Sequence, residues 1–188
     1  WLILDADQDS GIYLGLKPDL NQHDLKTALK DQNKRSEDKN FSQLLNFYPV
    51  KTGQFFYVPA GTIHAIGKNV TLVEIQQSSG VTYRVWDWNR VDENGKARKL
   101  HIKKALDVIN FEYSQNTKES FLFKNDVLSC CGAKVLIEHE QFLVEVQPIS
   151  KSRQELYNDS SRHWSIISLK CDVDLTYDER AVTLGRYS

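Results

Sequence analysis

No methionine occurs anywhere in the 188 residues, and the chain opens on Trp1. A natural start leaves an initiator Met or a small residue, and "WLIL" reads as the middle of a buried strand. At the other end, "ERAVTLGRYS" stops inside another strand-like run. The expectation is an internal segment whose natural N- and C-termini lie outside it. Cysteine is scarce: Cys130, Cys131 and Cys171 are the whole set. Its odd number and one adjacent pair exclude a disulfide framework and fit a reducing, cytoplasmic compartment. Charge of one sign is also missing. A formal net charge of -1 speaks against nucleic acid or an anionic membrane as partner. No apolar run nears the ~20 residues of a membrane span, and there is no signal-peptide pattern. Repeats at solenoid spacing, low-complexity tracts and Pro-rich linkers are absent. What is present is ordinary for a globular protein, with 40% hydrophobic and 26% charged residues. That is enough chain for one good core, or for one domain and part of another.

The apolar pattern gives the organisation. "WLIL" and "GIYLGL" flank the polar turn "DADQDS" and read as two strands joined by a hairpin-like loop. From Asn21 to Lys34, Leu25, Ala28 and Leu29 share one helical face, with Asn21 as N-cap. After the polar break "KRSEDKN", "FSQLLNFY" puts Phe41, Leu44, Leu45 and Tyr48 on one face of a second short helix. "GQFFYVPA", "NVTLVEIQQ" and "GVTYRVWDWN" are rich in β-branched and aromatic residues and read as strands. A helix follows over 100–109, with Ile102, Ala105, Leu106 and Ile109 in phase. "SFLFKND", "AKVLIEHE", "QFLVEVQPI", "HWSIISLKC" and "DERAVTLGRY" then form a third block of short strands between turn signals, the pattern of a sandwich or barrel. The helix at 100–110 is the natural seam between two β units.

One motif carries chemistry. Gly53, Pro59, Gly61 and His64 stand in the order Gly, five residues, Pro, one residue, Gly, two residues, His. Gly53 permits the turn into the strand, and Phe55, Phe56 and Val58 fill a core. Pro59 and Gly61 make the reversal, and His64 emerges at the start of the next strand. An imidazole on a rigid strand is a good metal ligand; a hydrogen-bonded structural histidine is the plainer alternative. The spacing resembles the second motif of the cupins, small double-stranded β-helix jelly rolls.

The surrounding blocks narrow this. Pro59–Ile66 ("PAGTIHAI"), Glu74–Ser79 ("EIQQSS") and Thr82–Trp88 ("TYRVWDW") follow one another within about 30 residues. Together they are very similar to the type I mannose-6-phosphate isomerases, in particular the short bacterial form. The resemblance implies an all-β bicupin with helical insertions. Residues 1–110 would be a partial first barrel with its insertion at 21–48, and 111–188 a second, degenerate and truncated cupin-like β-sandwich. It also implies a zinc-dependent aldose–ketose isomerase acting on mannose 6-phosphate and fructose 6-phosphate, with one Zn²⁺ per chain. In the family the zinc is held by Gln and His from an earlier strand, by a Glu, and by the His of this motif. Only His64 falls inside these residues. Trp1 matches a Trp that lies two positions after the Glu, so the other ligands are expected upstream of Trp1. The segment alone is then expected to be inactive.

By the same resemblance Arg84 is the active-site arginine. From the residues alone, strand alternation puts Thr82, Arg84, Trp86 and Trp88 on one face, with Arg84 stacked on Trp86 or paired with an acid. Asp87, between two Trp residues, reads as structural. Glu74 and Gln76 share a strand face with Leu72, either lining a substrate cavity or serving as satisfied structural groups. Lys96, Arg98, Lys99, Lys103 and Lys104 are either cations for a phosphate or a solvated helix end, and His101 among them is expected to be exposed. Cys130, Cys131, His139, His163 and Cys171 lack any metal-ligand spacing. The expected partner is a small-molecule sugar phosphate, and the chain is expected to be a monomer or weak homodimer. Two other readings remain: a cupin-like sugar-phosphate binding or regulatory protein without turnover, and another metal-dependent cupin enzyme.

Overall fold

The structure is a computed structural model. It describes residues 1–31, 39–88, 90–129, 131–149, 154–156, 163–177 and 180–186. They fall into two units, Trp1–Gln147 and Pro148–Ser188, and strands outnumber helices in them.

The two apolar runs at the start of the chain form β1 (Leu2–Ala6) and β2 (Gly11–Leu16). The expected turn is there, closed by Ser10 N–H donating to the Asp7 carbonyl at 3.1 Å. The strands it joins do not pair with each other, however. β1 pairs antiparallel with β5 (Val70–Val73), Leu2 facing Val73. β2 is the middle strand of another sheet, between β3 (Leu45–Pro49) and β4 (His64–Ile66).

β2 serves two cores, and Gly15 is the reason. Ile12 and Leu14 pack with Trp1, Ile3, Val50, Phe56 and Phe121. In a regular strand Leu16 would follow Leu14 onto that face. The register with β3 shifts between Tyr13 and Leu16, and Gly15 has φ 77°, a bulge that turns Leu16 over. Leu16 packs instead with Leu25, Leu29, Phe41, Leu45, Ile63 and Leu106. A Cβ on Gly15 would stand 2.8 Å from the Phe121 ring.

The first helix forms as its sequence requires. α1 (Gln22–Asp31) is capped by Asn21, whose Oδ1 accepts from the backbone N–H of His23 and Asp24 at 2.8 and 3.1 Å. Asp24 Oδ2 accepts the Asn21 N–H in return at 3.1 Å, a reciprocal box. Leu25 and Leu29 are buried. The second helix differs from expectation. α2 spans only Lys39–Ser42, and the rest of "FSQLLNFY" becomes β3. The apolar run fits either period, and β2 has a free edge whose backbone groups need partners.

"GQFFYVPA" is extended but is held by bridges. Phe55 is bridged to Leu2 on one side and to Lys124 on the other. "SFLFKND" correspondingly gives the core a fully buried Phe121 instead of a strand. The helix expected at 100–109 shortens to α3 (Ile102–Leu106). That seam lies inside the first unit, because Phe121 shares a core with Trp1 and Ile3. β6 (Lys134–His139) and β7 (Phe142–Val146) form a two-residue hairpin with His139 facing Phe142. In the second unit β8 (Val173–Tyr177) pairs with β9 (Arg180–Leu184). The strand expected over 163–171 does not form there. Among the described residues no helix is long and apolar enough to cross a membrane.

Candidate active site

His64 is placed by its turn. Thr62 N–H donates to the Pro59 carbonyl at 3.2 Å, and Gly61 has φ 81°, as a turn with its third residue in the left-handed region requires. The turn packs closely: a Cβ on Gly61 would sit 2.7 Å from the Val108 carbonyl oxygen. The next strand then pairs with β2, Leu14 opposite His64. Opposed residues of an antiparallel pair point the same way, so the imidazole shares the face of buried Leu14 while remaining exposed itself. The Trp1 indole stands against it, with ring centroids 5.2 Å apart.

The imidazole is also fixed in tautomer. His64 Nδ1 lies 2.9 Å from the Thr62 carbonyl oxygen. A carbonyl only accepts, so Nδ1 carries the proton, and in the neutral ring the Nε2 lone pair is left over. That is the state of a metal-ligating histidine oriented through its other nitrogen.

Glu74 and Gln76 lie just past the end of β5, both exposed, so the shared strand face with Leu72 does not extend to them. The pairing of Leu2 with Val73, carried one step further, sets Glu74 opposite Trp1. The Trp1 nitrogen donates to the Phe56 carbonyl at 2.7 Å.

Arg84 departs most from expectation. Residues 81–88 form no strand, so the inferred four-residue face does not exist, although Trp86 and Trp88 still meet with centroids 3.9 Å apart. Trp88 has φ 54°. Trp86 packs on Phe41 and Trp88 on Tyr13, at 5.2 and 5.7 Å. Arg84 is half-buried. Its backbone N–H donates to His101 Nδ1 at 3.3 Å, and its carbonyl accepts from the His101 backbone N–H at 2.7 Å. His101 is accordingly half-buried rather than exposed. Asp87 is a structural partner of an arginine, and that arginine is Arg98: the guanidinium bonds both carboxylate oxygens. The Arg98 hydrogen bond, aided by the charges of Arg98, Arg84 and Arg90, holds the Asp87 carboxyl below its ordinary range. Arg84 forms no ion pair among the described residues.

No group of three His, Cys, Asp or Glu side chains suited to a metal occurs among the described residues. Cys131 and Cys171 are free and exposed, and Cys130 lies outside the described residues. A shallow cleft of about 550 Å³, bordered by Tyr13, Lys17, Gln43 and Phe47, lies along β2 and β3. Tyr13 pairs with Ala65, so it projects from the opposite face of the sheet to His64.

The chain is 38% identical over 122 residues to the mannose-6-phosphate isomerase of Streptococcus mutans, covering 65% of this chain and 36% of that protein. It is 42% identical over 109 residues to the mannose-6-phosphate isomerase ManA of Bacillus subtilis, covering 58% and 32%. The crystal structure of the mannose 6-phosphate isomerase from Bacillus subtilis superposes with a TM-score of 0.73 at 26% identity, over 100% of this chain and 55% of that one. The chain is homologous to mannose-6-phosphate isomerases. It spans about a third of the length of the curated isomerases it matches. No protein-family model matches it.

Two residues stand out that the sequence pattern does not mark. His101 stands in a run of cations expected to be exposed, but it clasps Arg84. Asn116 carried no signal at all, yet it is 2% exposed. Its Oδ1 accepts the Leu16 N–H at 2.9 Å, and its Nδ2 donates to the carbonyls of Asn110 and Glu112 at 3.1 and 2.8 Å. It fastens the loop after α3 to the bulge of β2.

Proposed function

We propose that this chain is part of a zinc-dependent aldose–ketose isomerase that interconverts mannose 6-phosphate and fructose 6-phosphate. The observation that carries this is the 38–42% identity to proteins named mannose-6-phosphate isomerase. The state of His64 supports it, with Nδ1 engaged and Nε2 available. In this reading residues 1–110 belong to a first cupin barrel and 111–188 to a second, with Phe121 lending its ring to the first. The protein is cytoplasmic, and its partner is the sugar phosphate.

His64 fits a zinc site as one ligand, with the others upstream of Trp1. A strand continued backwards from Trp1 would return a side chain to the Trp1 face two residues earlier, and the Trp1 ring touches His64. When bound, zinc supplies Lewis-acid polarisation of the sugar oxygens. The reaction moves a proton between C1 and C2, and negative charge builds on oxygen as the enediol forms. Arg84, a half-buried residue without an ion-pair partner among the described residues, suits stabilisation of that charge or orientation of the sugar through its guanidinium. In this reading Glu74, opposite Trp1 by the register of β1 and β5, and Gln76 meet the substrate's hydroxyls.

The test is a coupled assay of the complete protein with mannose 6-phosphate, together with its zinc content. Turnover with about one zinc per chain is the expected result. No turnover with zinc supplied overturns the reading.

A further inference from the structure

Residues 81–88 carry the proposed active-site arginine but have no strand ladder to hold them. Something else must fix the Arg84 backbone, since a guanidinium on a loose segment contributes little to a transition state. The structure contains such a device. Arg84 exchanges two hydrogen bonds with His101: backbone N–H to Nδ1 at 3.3 Å, and carbonyl to backbone N–H at 2.7 Å. Three residues inward on each side, Asp87 takes the bidentate Arg98 pair. Further in, Val91 bridges Ala97. The two segments run antiparallel and are zipped largely through side chains.

His101 is the fixed end of this zipper. It is the N-cap residue of α3, yet its side chain makes no capping hydrogen bond. The ring acceptor that an N-cap residue would offer to its own helix is directed to Arg84 instead. The helix behind it is anchored: Ala105 and Leu106 are buried, and the Leu106 carbonyl accepts from Gln22 Nε2 at 3.0 Å. The Tyr83 ring lies 6.2 Å from the imidazole, on the residue next to Arg84.

We propose that His101 is a positioning residue for Arg84, holding its peptide through Nδ1 and the backbone N–H so that the guanidinium is presented in one place. This rests on the isomerase reading of Arg84. His101 itself does not touch substrate.

The experiment compares His101→Phe and His101→Asn in the complete protein. Phe keeps a ring beside Tyr83 and removes the acceptor. Asn offers an Oδ1 near the place of Nδ1. With Phe, kcat is expected to fall roughly 10- to 100-fold, as for a misplaced catalytic group. KM and melting temperature should move little, and Arg84 amide hydrogen exchange should speed up. With Asn, most of kcat and the slow exchange should return. Wild-type kcat in the Phe variant would overturn the proposal and leave the isomerase reading intact. Equal losses in Phe and Asn, with a matching fall in melting temperature, would make His101 merely structural and also overturn it. A wild-type protein without turnover would remove the isomerase reading and this proposal with it.

Discussion

The Trp1 indole meets the His64 imidazole edge-on, with centroids 5.2 Å apart and ring planes at 83°. The contact joins the residue just before β1 to the first residue of β4, and the two strands lie in different sheets. A T-shaped aromatic pair of this kind is worth about 0.5–1.5 kcal/mol. It therefore orients the imidazole more than it stabilises the fold.

His64 is exposed, so replacing it should cost little stability. In the complete protein His64→Ala is expected to lose most bound zinc and nearly all turnover, with the melting temperature almost unchanged. Metal analysis and a thermal melt of the same preparation check this. Stoichiometric zinc in the variant would remove His64 from the ligand set.

Arg84→Lys keeps the charge and loses the planar fork. The expected result is a fall in kcat of roughly 10²-fold, comparable to loss of one oxyanion donor, with KM and melting temperature near wild type. If Arg84 is only structural, the melting temperature drops and kcat of the folded fraction holds.

Asn116→Ala strips three hydrogen bonds, one from the buried backbone N–H of Leu16 and two from the partly buried carbonyls of Asn110 and Glu112. Stranded buried partners cost about 1–3 kcal/mol each where water cannot replace the bond. A total loss of about 2–4 kcal/mol in urea unfolding is expected. A change below about 0.5 kcal/mol, typical of an unimportant surface site, would contradict the fastening role.

How legible the molecule was depends on what held each part. The His64 turn could be read because Pro59 and Gly61 are needed by backbone geometry itself. The α1 start could be read because Asn21 and Asp24 cap each other locally. "FSQLLNFY" was misread because its apolar residues satisfy a helical period, and only the open edge of β2 decides for a strand. The Arg84 segment was misread because β-branched and aromatic residues suggested a ladder. The Asp87–Arg98 pair and the His101 clasp, between residues 11 and 17 positions apart, hold it in another form. Asn116 reaches across 100 positions to Leu16, a distance over which periodicity carries no information.

The kink at Gly15 has one more consequence, for how such a chain can change over generations. Leu14 and Leu16, two positions apart on one strand, answer to different neighbourhoods. Substitutions among Leu25, Leu29 and Phe41 are felt by Leu16, Ile63 and Trp86, whereas Leu14 packs with Trp1 and Ile3 in a separate cluster. The helical insertion therefore varies in step with Leu16 and its neighbours while the packing of Leu14 around Trp1 is left as it is. A single glycine sets the border between these two neighbourhoods.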